Sequence, residues 1–145
     1  MLFSDAKGRK VVSSSTATTV GKVSRFIVDP ATRAVVGVEL RKTEDGDILR
    51  WSDITAFGAD AVTVTGPDKI GDGGESVRAL SGKAHRVLGK RLLTSTGDEL
   101  GKVADVDFDP ASGALTALLV DDGSEVEAAR LLGIGSYAVV VRDTE

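Results

Sequence analysis

Apolar and polar residues alternate with a period of two through much of this chain, the spacing that turns one face of a β-strand to a core and the other to solvent. Across residues 100–109 the alternation puts Leu100, Val106 and Phe108 on one face and Asp105, Asp107 and Asp109 on the other. Asp109-Pro110-Ala111-Ser112-Gly113 then supplies turn chemistry, Pro presetting φ and Gly accepting a positive φ, before an apolar return through Leu115 to Val120. This predicts a β-hairpin. Asp122-Gly123, and Asp45-Gly46 earlier, mark the next tight turns, and Ala61–Val64 and Ala138–Val141 read as closing strands.

The pattern occurs twice. Val20-Gly21-Lys22-Val23 recurs as Leu100-Gly101-Lys102-Val103, and Val28-Asp29-Pro30-Ala31 as Phe108-Asp109-Pro110-Ala111, both at an offset of 80. Gly8-Arg9-Lys10-Val11-Val12 answers Gly89-Lys90-Arg91-Leu92-Leu93 at 81, and Ile54-Thr55-Ala56-Phe57-Gly58 answers Leu131-Leu132-Gly133-Ile134-Gly135 at 77. A tandem duplication therefore organises the chain. Five or six short strands per copy predict an all-β protein of two small barrels, an architecture that removes exposed sheet edges. Residues 1–66 form the first module, 67–82 a flexible Gly-rich linker expected to hold no regular structure, and 83–145 the second module. Val77, Leu80, Ala84 and Leu88 follow near-helical spacing, which Gly82 weakens.

Together these segments resemble the PRC-barrel family, the six-stranded module of the photosynthetic reaction-centre H subunit and of a ribosome maturation factor. The carriers are the Gly89-Lys90-Arg91-Leu92-Leu93 opening, the strand from Gly97-Asp98-Glu99-Leu100-Gly101-Lys102-Val103 to Val106, and Asp109-Pro110 leading into Leu118-Leu119-Val120, with the same elements in copy one. Copy one departs at Ser13 to Thr19, where a looser first hairpin is expected in place of a Gly-centred turn. The resemblance implies a docking module with no shared catalytic residues.

Composition adds few constraints. Cysteine is absent, so no disulfide, thiol nucleophile or cysteine metal site exists, which fits a reducing, cytoplasmic setting. No apolar run approaches the roughly 20 residues of a membrane span. Residues 1–66 carry nine basic and eight acidic groups, and residues 67–145 nine and fourteen. That balance, with neither Asn nor Gln present, argues against sequence-independent or base-reading DNA binding.

Asp105, Asp107 and Asp109 resemble the start of a calcium loop, but alternation strings them along an extended strand and Pro110 follows, so a basic partner fits them better than a metal. His85, the single histidine, lacks a second imidazole or thiol, and none of the Gly-Lys pairs precedes Ser or Thr. No cofactor and no enzyme activity are expected. Lys83, Arg86, Lys90 and Arg91 form a basic stretch that could grip RNA or anionic lipid, though no aromatic is interleaved, and pairing with the acidic second copy is more economical. Leu88 and Leu92 beside them read as core, and Trp51 as a core residue or barrel-end plug. Leu115 to Val120 is apolar on both faces, and Ile27 and Val35 sit where alternation points outward, so the barrels are expected to pack on each other or on a partner through these faces.

The expected function is non-enzymatic protein docking through Asp105, Asp107, Asp109, Leu115, Leu119 and Ile27. A ribosome- or RNA-associated role through Lys83, Arg86, Lys90 and Arg91 is the alternative. Homodimerisation stays open.

Overall fold

The computed structural model describes residues 1–41 and 47–143, so the expected Asp45-Gly46 turn lies outside the described residues. Module one holds a short helix α1 (Phe3–Ala6) and strands β1 (Lys10–Ser13), β2 (Thr18–Asp29), β3 (Ala34–Arg41), β4 (Ile48–Arg50), β5 (Ala56–Phe57) and β6 (Ala61–Val64). After helix α2 (Gly74–Ala79), module two repeats them as β7 (Arg91–Thr94), β8 (Glu99–Phe108), β9 (Leu115–Val120), β10 (Glu125–Glu127), β11 (Leu131–Ile134) and β12 (Ala138–Val141). The sheet orders are β4-β3-β2-β1-β6-β5 and β10-β9-β8-β7-β12-β11, one topology used twice. In each, the first strand pairs antiparallel with the second and parallel with the last.

Small polar details repeat as well. Ser13 and Thr94 are buried, and their hydroxyls meet those of Ser15 and Thr96 at 3.1 and 2.9 Å. The first hairpin of copy one is the wider: Ala17 N bonds Ser13 O four residues back, where Gly97 N bonds Thr94 O three back. Ala17 takes φ 55 where copy two has Gly97 at φ 93.

The barrel-like units share one core. β3 and β9 meet at an antiparallel bridge between Ala34 and Ala114. Val35 N donates to Gly113 O (2.8 Å), and Leu115 N donates to Arg33 O (3.0 Å). These pairs exchange under the offset of 80, so the modules are related by a pseudo-two-fold axis through the alanine pair, as in an isologous dimer. α1 crosses the seam: Leu2 bridges Asp107, and Phe108 N donates to Met1 O at 2.9 Å.

Val106 and Phe108 are both buried with the half-buried Asp107 between them, as alternation predicts, and Leu100 packs partly buried against the same core. Asp107 pairs with Ala117 but Phe108 with Leu115, a bulge whose extra residue is Thr116 of β9. Phe108 packs on module one, with ring centroids 5.4 Å from Phe3, 5.2 Å from Phe26, 5.6 Å from Phe57 and 6.3 Å from Trp51. All four phenylalanines and the single tryptophan thus gather at the seam. Trp51 stacks on Phe57 and packs, partly buried, against the core.

The connection carries more order than its glycines suggest. Residues Pro67–Lys69 form a 3-10 turn, α2 follows, and the helix ends at Leu80, ahead of Gly82 at φ 92. Gly71 and Ile48 exchange backbone hydrogen bonds of 3.0 and 3.1 Å, capping the β4 edge. Val77 packs over Gly37, where any Cβ would come within 3.1 Å of its Cγ1. β2 and β3 pair Ile27 with Gly37, and β3 and β4 pair Glu39 with Ile48, so this cover lies on the outer face that carries Ile27 and Ile48.

Candidate docking surface

Two of the expected surface residues are closed to any partner. Ile27 is 1% exposed beneath the connection, and Leu115 is 7% exposed in the seam. Ile27 points outward from its own barrel, Leu115 is the cross-strand partner of Phe108 in the common core, and both are covered by this same chain. Leu119 remains half-buried on the outer face of β9, paired with Asp105 and Glu125.

The acidic row is divided among three tasks. Ser4 donates to Asp105 from its amide at 3.2 Å and from its hydroxyl, so this carboxylate anchors α1. Asp107 Oδ1 lies 2.8 Å from the Met1 amine nitrogen. Asp109 accepts from Ala111 N at 2.9 Å in an Asx turn, which Asp29 and Ala31 repeat at 2.9 Å. Among the described residues no three histidine, aspartate or glutamate side chains converge to hold a metal ion.

The basic stretch is likewise not one patch. Lys90 turns inward and donates to the carbonyls of Lys83 (3.3 Å), Ala84 (3.0 Å) and Gly135 (2.8 Å). Its counterpart Arg9 donates to Gly58 O at 2.8 Å, so a cation clamped on a loop glycine is a shared device of both modules. Burial, followed by the neighbouring Arg86 charge, draws the Lys90 ammonium below the ordinary lysine range. Arg91 lies over the Tyr137 ring (5.0 Å) and 3.4 Å from Glu99, the one acid of copy two that the stretch meets among the described residues. Lys83 is exposed, and His85 Nδ1 sits 3.3 Å from Ser81 O.

Arg86 is placed differently. With Val87 and Leu88 it forms one wall of a groove whose remaining lining is Phe3, Lys7, Ser24, Arg25 and Phe26, enclosing about 220 Å³. Leu88, expected in the core, is 41% exposed here, whereas Leu92 is fully buried. Lys7, Arg25 and Arg86 make no ion pair among the described residues. Arg86 Nε is buried without a hydrogen-bond partner among them, an arrangement that costs an unmet donor about 1–3 kcal/mol. Sequence reasoning missed this groove because its walls lie far apart in the chain. The visible signal was Arg25, which occupies in copy one the place of Asp105.

Among the described residues no helix is long and apolar enough to cross a membrane. A family model described as PRC-barrel domain matches residues 1–70 and again residues 82–143. Among curated proteins, none matches the chain.

Proposed function

Since this chain belongs to the PRC-barrel domain family, we propose that it is a non-enzymatic docking module in which two barrels, fused as an internal pseudo-dimer, present a surface to another protein. The observation that carries this reading is the exposed apolar set Leu88, Leu132 and Tyr137, 41%, 48% and 66% exposed on a chain whose other large apolar side chains are at least partly covered. Exposed apolar groups flanked by charge mark interaction surfaces more often than reaction centres. The titratable groups support the same view: the carboxylates of Asp105, Asp109 and Asp122 are bound to nearby main-chain or hydroxyl groups of the chain itself. Absence of cysteine favours a cytoplasmic setting.

The test is capture of the tagged chain from its own organism's lysate, with and without nuclease, followed by mass spectrometry. A near-stoichiometric protein that survives nuclease supports docking. Ribosomal proteins lost on nuclease treatment refute it in favour of an RNA-linked role, and recovery of only a second copy of this chain refutes a hetero-partner.

A further inference from the structure

We infer that the groove between α1, β2 and residues 86–88 is a docking site for an acidic segment of another protein that inserts one aromatic or branched aliphatic side chain. The inference rests on the docking reading above and gives it a partner chemistry.

The repeat shows what is unusual here. The offset of 80 puts Arg25 where module two has Asp105, and the offset of 81 puts Arg86 where module one has Asp5. Charge is therefore reversed at both counterparts. On the side of Asp105 the chain supplies its own partner, since Ser4 of α1 donates to that carboxylate. On the other side, Arg25 and Arg86 make no ion pair among the described residues, and the Nε of Arg86 stays unpartnered. Lys7 adds a third cation, and none of the described residues that line the groove is acidic.

The floor is apolar, built from Phe3, Phe26, Val87 and the exposed Leu88. Its volume of about 220 Å³ falls below the roughly 300 Å³ at which small-molecule sites begin. It suits a single anchoring side chain, the kind of buried centre that dominates protein interfaces. Three cations around such a pocket complement carboxylates flanking the anchor, steer their approach and reject basic segments. Arginine forks bind carboxylates in two parallel hydrogen bonds, the geometry that carboxylates flanking the anchor would use on the cations lining the groove.

The test is a ¹H–¹⁵N titration of the full chain with the probe acetyl-Glu-Asp-Phe-Asp-Glu-amide. The expected result is a set of saturable shifts at Ser24, Arg25, Phe26, Val87 and Leu88. Binding should weaken about tenfold when the probe's Phe becomes Ala, and as much in Arg86→Glu. Leu88→Asp, at an already exposed position, should reproduce the loss with the rest of the spectrum unchanged. No shift at these amides up to millimolar probe, equal binding by the alanine probe, or unaltered binding by both variants would each overturn the inference. So would groove binding of a decauridylate RNA or of phosphatidylglycerol vesicles in place of the probe. Capture repeated with Leu88→Asp separates the two readings. A partner held equally by wild type and variant leaves the docking reading standing and removes the groove from it; wild type that captures no protein removes the docking reading itself.

Discussion

Ala34 and Ala114 pair across the seam as antiparallel neighbours, each the counterpart of the other in the repeat. The flanking hydrogen bonds, Val35 N to Gly113 O and Leu115 N to Arg33 O, exchange under the same offset. A duplicated module has thus kept a dimer-like contact inside one chain, and the two halves should unfold together. Phe108 is the strongest link, a side chain of module two packed among rings of module one. Phe108→Ala is expected to cost about 3–5 kcal/mol and, by calorimetry, to split a single transition into two. A variant that melts as one unit with near-wild-type stability would show that the backbone pairing alone couples the modules.

The axis is broken where the turns differ. Arg33 sits at φ 55 and Gly113 at φ 83, in equivalent positions. A Cβ at Gly113 would lie 2.9 Å from Trp51 Cε2, whereas the counterpart of Trp51 at the offset of 77 is the small Ala128. Arg33 accepts a left-handed conformation costing about 1–2 kcal/mol, and its Nε donates to Leu131 O across the seam at 3.0 Å. Arg33→Ala keeps the strain and loses the bond; Arg33→Gly loses both. Urea melts should therefore rank wild type first, Arg33→Gly next and Arg33→Ala last, and Arg33→Ala equal to wild type would leave the hydrogen bond without weight.

The connection between modules can be probed through two adjacent glycines, both at positive φ. A Cβ on Gly73 would overlap Ile48 Cγ2, while one on Gly74 would meet nothing within 4 Å. Gly74→Ala should cost only conformational strain, about 1 kcal/mol, and Gly73→Ala about 2–4 kcal/mol once the overlap is added. Amide exchange at Ile48, whose N–H is held by Gly71 O, should accelerate in Gly73→Ala alone. Equal exchange in the two variants would mean that the connection does not brace β4.

Much of this organisation was legible in the sequence because it rests on local rules. Alternation and Asp-Pro turns located the hairpins, and the self-match revealed two modules. What escaped reading depends on single bulges and distant contacts. One extra residue, Thr116 of β9 opposite Asp107 and Phe108, breaks the alternation of Leu115 with Ala117 and pairs Leu115 with the buried Phe108. Ile27 was read as apolar and outward-pointing, but its cover by the connection is a tertiary fact, and Leu115, expected on the outer face with Leu119, lies instead in the common core beside Phe108. The basic stretch looked continuous in one dimension. In three, Lys90 and Arg91 are committed elsewhere, and Arg86 joins Arg25 and Lys7 from the other module.

Asp122 offers a test of how much a surface turn owes to charge. Its Oδ1 accepts from Ser124 N at 2.9 Å and from Ser124 Oγ at 2.6 Å. The Ser124 hydroxyl, then its amide, hold the Asp122 carboxyl below its ordinary range. A carboxylate whose pKa is lower folded than unfolded binds fewer protons in the native state, so its stabilisation is present above the unfolded value of about 3.9 and is lost as pH falls through the folded one. The melting-temperature gap between wild type and Asp122→Ala should stay constant from neutral pH to about 5 and narrow below about 4. Ser124→Ala should narrow the same gap at neutral pH. If the gap instead persists to the lowest pH at which the protein stays folded, the protonated side chain serves the turn as well as the ionised one, and the tight turn before β10 is held by Gly123 at φ 93 and the Val120 N to Ser124 O bond rather than by a charge.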